Sequence, residues 1–337
     1  MRYKIFLSIF VAFGASFLGA MMIGASTQSV APAATTPPVA TTPLVVEKND
    51  QSVTLAWADV IEQNPDPKVV TNADFLQRMI ESKLPWRVRD KTTGIEMLLV
   101  PPGKFLMGMS AGDAEARYNE KPSHEVTLTK PFYLGRTEVT QLQWTKIMKV
   151  NPSKFNQTTD HAAIIKKLMS EGVSQKDAEA KAALMPTTNE MYPVEELSWN
   201  LCQEFCAKTG LSLPTESQWE YACRGGLTTS RYGTVDDISW NARNTDGHTH
   251  PVAMKAPNSL GFYDMLGNVW EWTQDWHATY SADNEVDPTG VKEGTQRVLR
   301  GGGFVIGPVA CRVSYRAYGN PDGSGIGRGG FRVARAP

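Results

Sequence analysis

The sequence predicts a mixed α+β protein, irregular and rich in loops. Three observations carry that expectation. The 337 residues include 28 Gly and nine Trp, which suits a chain whose large aromatics pin irregular segments better than a bundle of long helices. Several windows repeat at helical spacing and open on capping residues. Between them lie short alternating runs bounded by Gly and Pro, and beyond residue 226 the chain reads as turns and short strands. There is no internal repeat and no sustained heptad pattern. The length is sufficient to bury a substantial core.

Charge narrows the partners. The chain has 34 Lys and Arg against 35 Asp and Glu, a net charge of -1. Without a basic excess, nucleic acid is not expected as a partner. The N-terminus reads as an export signal: "MRYK" is positive, residues 5–25 are apolar, and small residues follow in "GASTQS". The run is close to the roughly 20 residues that span a bilayer, so it serves either as a cleaved signal or as a membrane anchor. No cysteine lies near it, which argues against a lipid-anchored lipoprotein. The expected location is exported: periplasmic, inner-membrane-anchored or extracellular.

The elements follow in order. Residues 26–46 are rich in Pro, Ala and Thr and read as an extended linker. In the extension over 47–92, "TLAWADVIEQ" and "NADFLQRMIES" read as short helices, the second capped by Asn72 or Asp74. "IEMLLV-PPG-KFLMG" (95–108) reads as a hairpin about a Pro-Pro-Gly turn, and "HEVTLT" (124–129) as a strand. "TEVTQLQWTKIM" (137–148) is a helix with a Thr140/Gln143 capping box. Residues 160–185 form two helices, the second opening with Ser174 and Asp177 and ended by Pro186. "SWNLCQEFCAKTG" is a helix stopped by Gly210. "PTESQWEYACRGG" is another, capped by Thr215 and Gln218 and stopped by Gly225. Cys202 and Cys206 share one helical face. With Cys223 and Cys311 they make an even count, which permits two disulfides in an oxidising compartment.

Four blocks then stand out: "MLLVPPGKFLMG" with "HEVTLTKPFYLGRTEVTQLQW"; "PVEELSWNLCQEFC" with "LSLPTESQWEYACRGG"; "PNSLGFYDMLGNVWEWTQDW"; and "RVLRGGGF" with "CRVSYR" and "GGFRVAR". Their order and spacing resemble the formylglycine-generating enzyme family, the sulfatase-modifying factor domain, over roughly residues 93–336. The resemblance implies a loop-rich fold related to the C-type lectin fold, occupying 93–337 with a helical insertion at 156–190. That insertion reads either as a cover or partner site, or as an exposed decoration.

The resemblance also implies chemistry. The best-known members oxidise a cysteine within a Cys-x-Pro-x-Arg sequence to formylglycine with Cu(I) and dioxygen. Cu(I) is soft and is held by thiolates. The family's thiol pair falls here on Ile306 and Cys311, and its "RGGS" serine on Gly303. Cys311 therefore reads as a residual catalytic thiol or as a buried small hydrophobe. Two family cysteines match Cys206 and Cys223, but their usual partners fall on Arg316 and Val333, so those bridges cannot form. The resemblance assigns a calcium site to Asp264, Gly267, Val269 and Glu271, where carboxylates and backbone carbonyls supply hard oxygens. Without an ion, Asp264 and Glu271 would instead bind loop amides. The family's second calcium site, around 241–247, does not carry over cleanly.

Other residues have two readings each. Glu138 sits where the family lines its peptide groove, or serves as a carboxylate before a helix. Arg300, Arg312 and Arg316 are groove cations or internal ion-pair partners, with Arg316 the candidate for substrate binding. His248 and His250 would face one way on a strand, but no third ligand is evident, so they read as turn imidazoles. Trp199, Trp219, Trp270, Trp272 and Trp276 read as core. The expected function is an exported divergent member that lacks the two-cysteine copper site and binds a protein or peptide in the envelope, stabilised by calcium. The rivals are an oxidoreductase converting a protein cysteine to formylglycine, with copper as its metal, and another periplasmic maturation oxidation.

Overall fold

A computed structural model describes residues 53–155, 161–183, 191–323 and 328–337. The export segment, the linker and Pro186 lie outside the described residues. Those described belong to a compact unit that begins at Asn49. In chain order its elements are β1 (Ala58–Glu62), α1 (Ala73–Ser82), β2 (Arg87–Asp90), β3 (Glu96–Val100), β4 (Gly103–Met107), β5 (His124–Leu128) and β6 (Phe132–Gly135). Five helices follow: α2 (Gln141–Met148), α3 (His161–Ser170), α4 (Gln175–Ala183), α5 (Trp199–Thr209) and α6 (Glu216–Arg224). After the short α7 (Val235–Ile238) come β7 (Trp270–Trp276), β8 (Glu285–Val286), β9 (Arg297–Arg300), β10 (Ala317–Gly319), β11 (Gly329–Gly330) and β12 (Ala334–Arg335).

Three small sheets result, ordered β1-β2-β3-β6-β12, β10-β9-β7-β11 and β4-β5-β8. The mixed, loop-rich class read from the sequence is the one observed. The helices start and stop where local chemistry dictates. Asn72 Oδ1 accepts the N–H groups of Asp74 and Phe75 at the start of α1. Thr140 and Thr215 form reciprocal capping boxes with Gln143 and Gln218. Gly210 and Gly225 close α5 and α6 in the left-handed conformation. Within the insertion, α3 and α4 pack on each other.

Two sequence expectations fail. The "TLAWADVIEQ" segment contains strand β1, paired antiparallel with β2, not a helix. Its Glu62 meets Arg87 across the pair at 2.8 Å. A nonlocal partner decides the conformation, and a ten-residue window cannot display it. The run over 95–108 is not a hairpin either. β3 pairs with β2 and β6, whereas β4 pairs with β5 in another sheet. Pro101 and Pro102 remove two N–H donors and hold φ near -65°, so the chain crosses between sheets instead of folding back.

The core is aromatic, as the composition suggests. Trp144, Trp219 and Trp272 are fully buried. The Trp144 ring stacks on Phe205 with centroids 5.5 Å apart, tying α2 to α5. Trp270 is also buried. Trp199 and Trp276 are only half-buried and hold the Arg297 guanidinium between their rings, 3.8 and 3.3 Å from the centroids. The four cysteines are all buried free thiols.

Candidate functional site

Cys311 follows a single 3₁₀ turn over Pro308–Ala310 and donates its N–H back to Pro308. Arg231 pins the turn, donating to the carbonyls of Cys311 and Pro308 at 3.0 and 2.9 Å. The thiol is fully buried. Gly302, at φ +85°, closes over it: a Cβ there would lie 3.1 Å from the sulfur. Burial pushes the Cys311 thiol up to about 11, against a smaller lowering from Ser239. It is therefore protonated at neutral pH, the unreactive form. Ile306 packs against the core and offers no donor atom. Gly303 lies beside Trp270, where an added Cβ would stand 3.3 Å from the indole Cδ1. A single buried, protonated thiol does not fit a Cu(I) centre built from protein thiolates.

A second constellation surrounds the loop 264–271. Asp264, Gly267 and Asn268 all have left-handed backbones, with φ of +52°, +88° and +53°. Only glycine fits at 267, because a Cβ there would meet the Trp240 carbonyl at 2.4 Å. The turn brings three buried carboxylates together. Glu138, placed just before the Thr140 cap of α2, accepts the Val269 N–H at 2.9 Å and the Asn268 side-chain amide at 2.8 Å. Glu271 is held by Arg332 through two 2.6 Å bonds and by the Trp219 indole N–H at 2.7 Å. Asp264 accepts the Ala253 N–H on Oδ2 at 2.7 Å, while its Oδ1 is buried with no partner.

Arg332 is the cation bonded into this group, and two further N–H groups of it serve the Gly135 and Tyr263 carbonyls. Burial, then the Asp264 and Glu271 charges, pushes the Glu138 carboxyl well above the usual carboxylate range. Burial likewise pushes Asp264 up to about 6. The orphaned Asp264 oxygen fits a hard cation. Glu271 does not extend that fit, since both its oxygens are engaged. Among the described residues, no three His, Cys, Asp or Glu side chains converge as metal ligands.

Arg300, Arg312 and Arg316 are all buried and paired internally. Arg316 makes a two-pronged pair with Glu216, at 2.7 and 2.8 Å. It also donates to the Asn119 and Ala278 carbonyls and stacks on Tyr280. Arg312 pairs with Glu120 and Asp113 at 2.6 and 2.8 Å. Arg300 pairs with Glu220, which also binds Arg224. Glu138 and Arg316, read together as substrate-binding, thus belong to separate internal networks. His248 lies 4.9 Å from His250, ring to ring, and His250 stacks on Trp240 at 3.8 Å. Glu120, Glu216, Glu220 and Arg332 organise these networks and were not singled out from the sequence. Only pairing across many residues of chain gives them a role.

The model of the sulfatase-modifying factor enzyme 1-like domain matches residues 85–337. The chain belongs to that family. The formylglycine-generating enzyme of Streptomyces coelicolor is 33% identical over 284 residues, spanning 70% of this chain and 87% of that one. The "Chaperone protein LppX" of Paenibacillus barcinonensis is 30% identical, spanning 73% of this chain and 91% of that one. Among solved structures, Treponema denticola variable protein 1 aligns with a TM-score of 0.57 and 27% identity, over 72% of this chain and 95% of that one. The family match begins at 85, within the residues ahead of 93. Those residues supply β1, α1 and β2, and β1 and β2 join β3 in the first sheet.

Proposed function

We propose that this chain is an exported, divergent sulfatase-modifying factor domain that binds a protein or peptide in the envelope without the paired-thiolate copper site. One observation carries the reading: Cys311 is a buried thiol held in its protonated form, while the resemblance puts the family's first thiol position on Ile306, which has no donor atom. The presence of all four family sequence blocks and a well-packed core support retained binding over decay. The relative named as a chaperone supports a non-catalytic use of the same scaffold. We further propose a structural calcium ion at the 264–271 loop, held by Asp264 with the Gly267 and Val269 carbonyls, on the strength of the unpartnered Asp264 oxygen.

The 33% identity to a formylglycine-generating enzyme supports a second reading, an oxidase that acts with a single protein thiol. Incubating the mature domain with Cu(I), dioxygen, reductant and a Cys-x-Pro-x-Arg peptide separates the two. The binding reading expects an unchanged peptide mass. A mass loss matching thiol-to-aldehyde conversion, abolished in Cys311→Ala, would establish the oxidase.

A further inference from the structure

Away from both the thiol and the carboxylate loop, a cleft of about 390 Å³ opens between the start of α6, the end of β7 and the segment from Ala278 to Val291. That is within the common range for small-molecule sites, roughly 300–1,000 Å³. Its floor carries Glu216 and Arg316, whose charges cancel in the pair described above. Four of the five Arg316 donors are spent, on Glu216 and on two carbonyls. The Glu216 carboxylate is also taken, by Arg316 and the Tyr280 hydroxyl.

Two carboxylates remain. Asp275 is 5% exposed. Its Oδ2 accepts the Glu216 N–H at 2.7 Å and so caps α6. Its Oδ1 makes no hydrogen bond to any described residue and faces Gly290, whose missing Cβ leaves the space open; a Cβ would stand 2.9 Å from that oxygen. Glu285 lines the same cleft, with its carboxylate 4.0 Å from His124 Nε2 and its side chain 37% exposed. Met107, Val286 and Val291 supply apolar wall. The cleft thus offers unspent acceptors, no lysine and no arginine without an ion-pair partner among its lining residues, and an apolar side for a hydrocarbon stem.

We propose that this cleft binds an alkyl ammonium or guanidinium group, with Asp275 Oδ1 as its principal acceptor and Glu285 as a second. The cation comes either from a free amine or from a lysine or arginine side chain of a bound peptide.

Calorimetric titration at pH 8, where Asp275 is ionised, of the full exported chain with agmatine, with an acetylated, amidated peptide containing one arginine, and with n-pentanol tests it. Saturable binding of either cation is expected, and none of the alcohol. Asp275→Asn keeps an oxygen for the α6 cap and removes the charge. It should weaken binding by about tenfold or more, as loss of a charge-assisted hydrogen bond does. Glu285→Gln, on a half-exposed side chain outside the cap, should weaken it severalfold and serves if the first variant is unstable. Tighter binding of agmatine than of the peptide assigns the site to a free amine, and the reverse assigns it to a partner side chain. Cation binding unchanged in both variants, no saturable binding of either cation, or equal affinity for the alcohol would overturn the proposal.

Discussion

At the scale of single residues, burial sets the chemistry. A thiol reacts as its thiolate, and all four thiols here are buried. Burial pushes Cys311 up to about 11 and Cys206 up to about 12. Titration with a thiol-specific chromogenic disulfide at pH 8 should find none of the four cysteines in the native protein and all four in guanidinium chloride. Rapid native reaction lost in Cys311→Ala would mean the site opens in solution. The buried ion pairs give the second residue-scale expectation. Arg316→Met strands the Glu216 carboxylate among buried groups and should destabilise the protein by about 3–5 kcal/mol. Glu216→Gln added to it should recover part of that loss, measured by denaturant unfolding. Additive effects in the double variant would show that the two residues do not act as a pair.

At the scale of elements, what the sequence shows depends on how far apart the partners lie. The caps of α2 and α6 were legible because each is a bond between residues three apart in the chain. Thr140→Ala should accordingly cost about 1 kcal/mol, read as a lower unfolding midpoint. The strand nature of β1 was hidden, since it comes from pairing with β2 more than twenty residues away. So was the crossing at Pro101 and Pro102, because two apolar runs about a Pro-Pro-Gly turn look alike whether they pair with each other or with strands of different sheets. The Arg312–Glu120 pair joins residues 192 apart in sequence and has no local signature. The 264–271 loop is a mixed case. Its residues were found by resemblance, but the engagement of Glu271 by Arg332 appears only in three dimensions. If Asp264 holds calcium there, adding calcium should raise the unfolding midpoint relative to a chelator. At a hundredfold excess over Kd the gain is about 2.7 kcal/mol. Asp264→Asn should abolish that gain, and an equal gain in the variant would remove Asp264 from the ion.

At the scale of the whole molecule, opposing sets of carboxyls shape stability against pH. Burial raises Glu120 and Glu216, but Arg312 outweighs it at the first, and Arg316 with Arg300 at the second, so both carboxyls end below their usual range. Their contribution is present above about pH 4 and is lost as pH falls through their folded-state values. Asp275 works the other way. Burial and then the Glu216 charge push it up to about 7, against smaller lowering effects of the Glu216 N–H, Arg316 and Arg297. Its unfolded value is about 3.9, so between roughly pH 4 and 7 the folded state holds the extra proton. Its contribution therefore falls as pH rises through that window, by an amount on the order of a few kcal/mol. Unfolding midpoints measured from pH 4.5 to 8 should decline for the native chain and decline less for Asp275→Asn, which stays neutral and can still cap α6. Glu138 and Asp264, also raised by burial, add a slope of the same sign to both proteins, and His250, lowered to about 4 by burial, adds one of the opposite sign, so the difference between the two curves is the readout. Parallel curves for the two proteins would mean that Asp275 is already ionised in the folded state at pH 5. The cleft would then present a standing negative charge, and its affinity for a cation would not change across this range.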